Sequence, residues 1–243
     1  MFGTNPLRRV VVGAGDELDV QAVFGTIQGE GPLAGSPSVF VRLWGCNLRC
    51  HFCDTDFESS TWRPSLDELF ARIKAQDVCA DLIVLTGGEP LRQPIGKFIE
   101  RALDSSWRVQ IETAGTVWPE SMYSDSVQRR LHEGSLVLVC SPKTGRVHAQ
   151  IERWCRHFKY ITCAADDGPI TAVRESTQTR GLRAKLYVPF NDATIWLQPR
   201  MDYTPTGAVD TVATEANTQQ AVRLCMRYGY RLSLQTHKLL GVE

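Results

Sequence analysis

Three cysteines stand close together at Cys46, Cys50 and Cys53, in the run Cys46-Asn47-Leu48-Arg49-Cys50-His51-Phe52-Cys53. Thiolates at the spacing C-x3-C-x2-C can converge on one metal centre, and soft sulfur ligands select zinc or an iron–sulfur cluster. A closed structural zinc site needs four protein ligands, often as two C-x2-C pairs. Only one tight group is present, and Cys79, Cys140, Cys155, Cys163 and Cys225 are scattered singly. His51 is a poor fourth ligand, because it is wedged between Cys50 and Phe52. A four-iron cluster on three thiolates keeps one iron without a protein ligand, open to a small molecule. The spacing favours that cluster over a closed zinc site or three core thiols.

The elements that must position this loop follow the hydrophobic pattern. Val20 to Ile27 reads as a strand ending in the turn Gln28-Gly29-Glu30-Gly31-Pro32. Ser38 to Trp44 is an apolar run that enters the cysteine loop through Gly45, and Asp54-Thr55-Asp56 leaves it. Ser65 and Glu68 form a capping box for a helix carrying Leu66, Leu69, Phe70 and Ile73 on one face. Asp81 to Leu85 has the continuous apolar character of a parallel strand covered on both sides, and breaks at Thr86-Gly87-Gly88-Glu89-Pro90. A helix over roughly 95–103, a strand at 108–111 and a polar, helical stretch come next, then a strand at 136–139. A helix over 147–155 and strands at 158–162, 184–188 and 194–197 follow. The spacing predicts a loop over 204–215, a helix over 216–227 and a last strand at 232–234.

Strand-then-helix repetition implies right-handed crossovers and a mostly parallel sheet with helices outside, an α/β partial barrel. Six or seven main strands fall short of a closed eight-stranded barrel. The polar groups are not randomly placed. The cysteine loop, Thr86-Gly87-Gly88-Glu89, Glu112-Thr113, Ser141-Pro142-Lys143, Gln198-Pro199 and Gln235-Thr236-His237 each lie just past a strand's C-terminal end. In a parallel barrel those ends share the face where chemistry is done.

Composition bounds the partners. Lys+Arg and Asp+Glu are 27 each in 243 residues, so net charge is zero and neither nucleic acid nor anionic membrane is an expected partner. No transmembrane span is visible, and eight cysteines in a chain of this length suit reduced thiols, which implies the cytoplasm. One domain is expected over 1–243, with 1–17 an N-terminal extension and 235–243 a tail closing the active site.

Cys46, Cys50 and Cys53, with Phe52 before the last cysteine and Thr86-Gly87-Gly88-Glu89-Pro90 following, resemble the radical S-adenosylmethionine superfamily. A narrower likeness rests on Phe24 to Pro32, Arg42, Cys53 to Phe57, Ile111-Glu112-Thr113, Ser141-Pro142-Lys143, Leu197-Gln198-Pro199 and Gln235 to Lys238. Together these are similar to the 7-carboxy-7-deazaguanine synthase family, carbon–nitrogen lyases of queuosine and other 7-deazapurine biosynthesis. Those enzymes convert 6-carboxy-5,6,7,8-tetrahydropterin to 7-carboxy-7-deazaguanine with loss of ammonia.

The resemblance implies a [4Fe-4S] cluster on Cys46, Cys50 and Cys53, and S-adenosylmethionine bound by Phe52, Cys53, Asp54, Gly88, Glu89, Ser141, Pro142, Lys143 and Gln198. It implies Mg2+ on Thr55. Pterin contacts are implied for Ile27, Gln28, Gly29, Glu30, Arg42, Thr86, Glu112, His237 and the terminal carboxylate of Glu243. Arg42 suits a bidentate pair with the substrate carboxylate. A flavodoxin or ferredoxin-type reductant and a homodimer are also implied. The implied chemistry is hydrogen abstraction at C6 by a deoxyadenosyl radical, ring contraction, and return of the hydrogen atom. Two other readings of the cysteine loop are an activase that makes a glycyl radical on a partner and a zinc-bearing interaction domain.

Overall fold

The computed structural model describes residues 5–190 and 192–242. Its centre is an eight-stranded sheet built from β1 (Val20–Ile27), β2 (Pro37–Leu43), β3 (Leu82–Gly87), β4 (Arg108–Thr113), β5 (Leu136–Cys140), β6 (His157–Thr162), β9 (Thr194–Pro199) and β10 (Arg231–Leu232). A separate two-stranded ribbon pairs β7 (Arg174–Glu175) with β8 (Arg183–Ala184). The helices are α1 (Leu66–Lys74), α2 (Gly96–Asp104), α3 (Asp125–Glu133), α4 (Ala149–Trp154), α5 (Thr211–Tyr228) and α6 (Thr236–Leu240).

Sheet order is β1-β2-β3-β4-β5-β6-β9-β10, with β1 and β10 at the two edges. From β2 to β10 every pairing is parallel, as the strand-helix alternation requires. The exception is β1, which pairs antiparallel with β2 and joins it by a hairpin-like connection. The architecture is therefore the mostly parallel α/β partial barrel expected from the sequence.

Residues on both faces of the central strands are apolar and buried. Leu82, Ile83, Val84 and Leu85 of β3 are fully covered, so the continuous run has a partner on either side. Helix α2 contributes Phe98, Ile99 and Ala102, and Phe70 of α1 stacks on Phe98 at 5.0 Å. Helix α1 begins as the sequence signals, with Ser65 Oγ accepting from the Glu68 amide and the Glu68 carboxylate accepting from the Ser65 amide.

Three local expectations are corrected. Of the strand expected at 184–188, only Ala184 is extended in a ladder, and Leu186 and Tyr187 instead pack over the main sheet. Tyr187 lies 5.7 Å from Phe158 and its carbonyl accepts from the Tyr160 hydroxyl at 2.6 Å. Apolar alternation signals burial on one side, and a covering segment satisfies that as well as a strand does. The loop expected through 215 ends earlier, because Asp210 caps the Ala213 amide at 3.0 Å and starts α5 at Thr211. The short final strand is Arg231–Leu232, and the tail beyond it forms α6, a turn of helix absent from the sequence expectation.

Candidate active site

All six polar segments expected on one rim follow strands of the parallel set, and their side chains converge on a cavity of about 320 Å3. Cys46, Cys50 and Cys53 form one wall. The loop leaves β2 at Gly45, whose φ of +80° is readily adopted only by glycine. Gly88 lets the end of β3 press against this departure: its amide donates to the Leu43 carbonyl at 3.0 Å, and a Cβ there would lie 1.9 Å from the Gly45 carbonyl oxygen.

The thiol wall fits an iron–sulfur cluster in three respects. The three sulfurs face a common space, and no fourth cysteine lines it. Each sulfur lies near an amide donor: the Leu48 N–H at 3.4 Å from Cys46 Sγ, Gln178 Nε2 at 3.3 Å from Cys50 Sγ, and Asn5 Nδ2 at 3.9 Å from Cys53 Sγ. Such donors stabilise thiolate ligands. His51 is engaged elsewhere, with Nε2 3.0 Å from the Ser176 carbonyl and 3.5 Å from Glu175. Among the described residues no three His, Cys, Asp or Glu side chains are close enough to share a single metal ion. Burial pushes the Cys46 and Cys53 thiols up to about 12 and about 11, so a bound metal must displace their protons.

The cavity floor comes from segments far apart in sequence. Although β1 ends at the opposite end of the sheet from the cysteine loop, the turn after it folds back toward the interior. Gln28 Nε2 donates to Glu112 Oε1 at 3.0 Å, and Gln28 Oε1 accepts from the Glu30 amide at 3.0 Å. Glu30 Oε2 meets the ammonium of Lys159 from β6, while its Oε1 accepts from Gln235 at 2.8 Å and Gln198 at 3.3 Å. Glu112 Oε1 also accepts from Gln110 Nε2 at 3.2 Å. Burial works to raise the Glu30 carboxyl, but the attraction of Lys159 outweighs it and holds Glu30 below its ordinary value. Glu112 lies above its ordinary value, because burial, aided by the repulsion of Glu30, outweighs the attraction of Lys159.

Of the residues expected around substrate, Gln28, Glu30, Arg42, Thr86, Glu112 and His237 line the cavity. Arg42 and Thr86 are register partners on β2 and β3, and the Arg42 guanidinium lies 4.9 Å from the Phe24 ring centroid. Ile27 and Gly29 are behind the wall, the latter because the His237 ring covers it. Glu243 lies outside the described residues. Of the expected cofactor contacts, Phe52, Cys53, Asp54, Gly88, Ser141, Lys143 and Gln198 line the cavity, as does Thr55. Pro142 does not.

Glu89 does not line the cavity either. It is 1 % exposed, and its carboxylate accepts from Thr113 Oγ1 at 2.6 Å, the Ala114 amide at 2.7 Å and the Leu91 amide at 3.0 Å. The side chain pins β3 to β4 beneath the rim, and its acceptors are spent there. Lys143, near Ser141 Oγ and 3.0 Å from the Ser141 carbonyl, has its ammonium disfavoured by burial.

Three cavity residues were not singled out from the sequence. Lys159 sits in an apolar strand, and only its pairing with Glu30 reveals it. Lys238 contacts Asp54, tying α6 to the cysteine loop; this attraction overcomes the opposing effect of burial and keeps the Asp54 carboxyl low. Arg200, with Glu175 at 2.5 Å and Asp202 at 2.8 Å, also lines the cavity, 6.0 Å from the Phe52 ring centroid. A polar residue past a strand end was the available clue for Arg200 and Lys238, and for Lys159 there was none.

The radical SAM superfamily profile matches residues 44–128, the segment from the cysteine loop into the first turn of α3. The 7-carboxy-7-deazaguanine synthase of Rhodospirillum rubrum is 43 % identical over 245 residues, covering 100 % of both chains. The chain belongs to the 7-carboxy-7-deazaguanine synthase family. The Rickettsia prowazekii member of this family is 35 % identical, over 100 % of this chain and 96 % of its own. The crystal structure of QueE from Escherichia coli matches the fold with a TM-score of 0.62 at 22 % identity, over 90 % of this chain and 93 % of that one. Family membership implies a [4Fe-4S] cluster and S-adenosylmethionine, and removes the activase and zinc-domain alternatives. No helix among the described residues is long and apolar enough to cross a membrane.

Proposed function

We propose that the chain converts 6-carboxy-5,6,7,8-tetrahydropterin to 7-carboxy-7-deazaguanine with loss of ammonia. The supporting observation is that buried Gln28, Glu30 and Lys159, with the half-buried Glu112, line the same cavity as the three cysteines. A bicyclic heterocycle rich in N–H and carbonyl groups is complementary to the cavity floor. Cys46, Cys50 and Cys53 would hold the cluster, and Gly88, Ser141, Lys143 and Gln198 would hold S-adenosylmethionine. When bound, these two groups supply a one-electron route to a carbon radical that removes a hydrogen atom from substrate.

The residues of the chain bind, orient and exclude water. Arg42, on the cavity wall, suits the substrate carboxylate as a bidentate partner. Glu30 and Glu112 face the amino-pyrimidinone edge, and His237 closes the site from the tail. Thr55, whose hydroxyl lies 3.4 Å from Asp54 Oδ1, is proposed as the protein ligand of Mg2+, an ion that keeps several waters and few side chains. A flavodoxin or ferredoxin-type reductant and a homodimeric assembly complete the proposal.

Anaerobic protein with a reconstituted cluster, given dithionite, S-adenosylmethionine, Mg2+ and the carboxypterin, is expected to release 7-carboxy-7-deazaguanine. No product from protein with a full cluster would overturn the substrate assignment. Loss of turnover in Arg42→Lys with iron content unchanged is the expected signature of bidentate carboxylate binding.

A further inference from the structure

The two floor carboxyl groups are near neighbours but are not equivalently partnered. Glu30 receives an ammonium on one oxygen and two amides on the other. Glu112 receives only neutral amides, both on Oε1, and its Oε2 has no hydrogen-bond partner among the described residues. Lys159, 5 % exposed, makes its direct contact with Glu30. A buried charge without a counter-ion is costly, so one cation in this floor can compensate one carboxylate.

Resting on the function proposed above, we propose that Lys159 is a positioning residue that makes these two groups unlike, fixing the negative charge on Glu30 and leaving Glu112 a neutral acid that both donates and accepts hydrogen bonds. The opposite displacements of the two carboxyls from their ordinary values agree with this division. Of the other charged groups lining the cavity, Arg42 lies over the Phe24 ring, His237 has its charged form disfavoured by burial, Asp54 is engaged by Lys238, and Lys143 has its ammonium disfavoured by burial. A charged acceptor beside a neutral donor–acceptor matches a ring edge that offers N–H groups next to a carbonyl or unprotonated ring nitrogen. Two carboxylates would accept only, and would repel that acceptor. The pair therefore selects one tautomer of the amino-pyrimidinone, and Lys159 sets the selection without touching the reacting carbon.

The division of charge is tested by infrared difference spectroscopy on substrate-free protein at neutral pH. Wild type minus Glu112→Gln is expected to show a protonated-carboxyl stretch, and Lys159→Met minus wild type an additional one as Glu30 takes up a proton. Absence of the first band, or a Lys159→Met spectrum unchanged from wild type, overturns the proposal. Kinetics of the cluster-loaded enzyme give a second readout. Lys159→Met is expected to raise KM at least tenfold with a smaller change in kcat, and Lys159→Arg to recover most of it. A Lys159→Met enzyme with wild-type KM also overturns it. The spectroscopic arm needs no turnover, so its failure is distinct from failure of the substrate assignment.

Discussion

The imidazole of His237 lies against the backbone of Gly29, so close that a Cβ on Gly29 would fall 2.0 Å from His237 Nδ1. The two residues belong to opposite edges of the open sheet, one past β1 and the other past β10. Their contact is reinforced by Thr236, whose Oγ1 and amide donate to the Gly29 carbonyl at 3.1 and 3.3 Å. The Gly31 amide donates to Ser233 Oγ at 3.0 Å one step further along. The gap in the partial barrel is thus bridged by a turn and a tail.

Gly29→Ala places a methyl group where the ring now sits, and neither backbone can yield without breaking the Thr236 bonds. Overpacking of this kind costs about 1–3 kcal/mol. The expected outcome is a lowered thermal midpoint with a full complement of iron, and a pterin KM raised at least tenfold. Calorimetry, iron analysis and steady-state kinetics check it.

His237 Nδ1 is buried without a hydrogen-bond partner among the described residues, and burial lowers the imidazole from 6.5. The folded protein therefore binds this proton less readily than the unfolded chain does. Its contribution to stability is fully present above pH 6.5 and is lost as pH falls toward the lower folded value. An NMR titration is expected to place His237 below 6.5, and amide exchange in α6 to accelerate on acidification through that range. A His237→Gln chain would lack the acid-dependent acceleration.

Gly88→Ala drives a methyl into the Gly45 carbonyl, 1.9 Å away, just before Cys46. Because the obstacle is backbone, β2 and β3 must separate at their ends. The expected result is protein with wild-type far-ultraviolet circular dichroism that reconstitutes less than half the iron of wild type. Normal iron loading in this variant would contradict the role given to the close approach.

Gln178 connects the β7–β8 ribbon to the cysteine loop, with Nε2 3.3 Å from Cys50 Sγ and Oε1 accepting from the Arg49 amide at 3.2 Å. Removing a donor from a cluster thiolate favours the more oxidised, less negative state. Gln178→Leu is expected to shift the cluster midpoint potential to more negative values, measured by spectroelectrochemistry, with iron content retained. An unchanged potential would mean that the amide serves the loop alone.

What the sequence determined by itself is what a few adjacent residues encode. Cysteine spacing defined the ligand set, because three thiols within eight residues must share a neighbourhood. The apolar run Leu82–Leu85 and the break at Gly87 located a covered strand and its rim, and Ser65 with Glu68 located a helix start. Gln28, Arg42, Glu112 and His237 were legible through family motifs and are found on the cavity wall. Tertiary structure decided the rest. Lys159 meets Glu30 across 129 positions, and Gln235 meets Glu30 across 205, distances over which no local pattern operates. Glu89, in a motif that suggested ligand binding, spends its carboxylate on Thr113 and Ala114 because folding brings β4 beside β3. The direction of β1, the seating of α6 on Gly29 and the unequal partnering of Glu30 and Glu112 were likewise set by packing. Side-chain type is a local property, but the charge a buried group carries depends on what the fold places next to it.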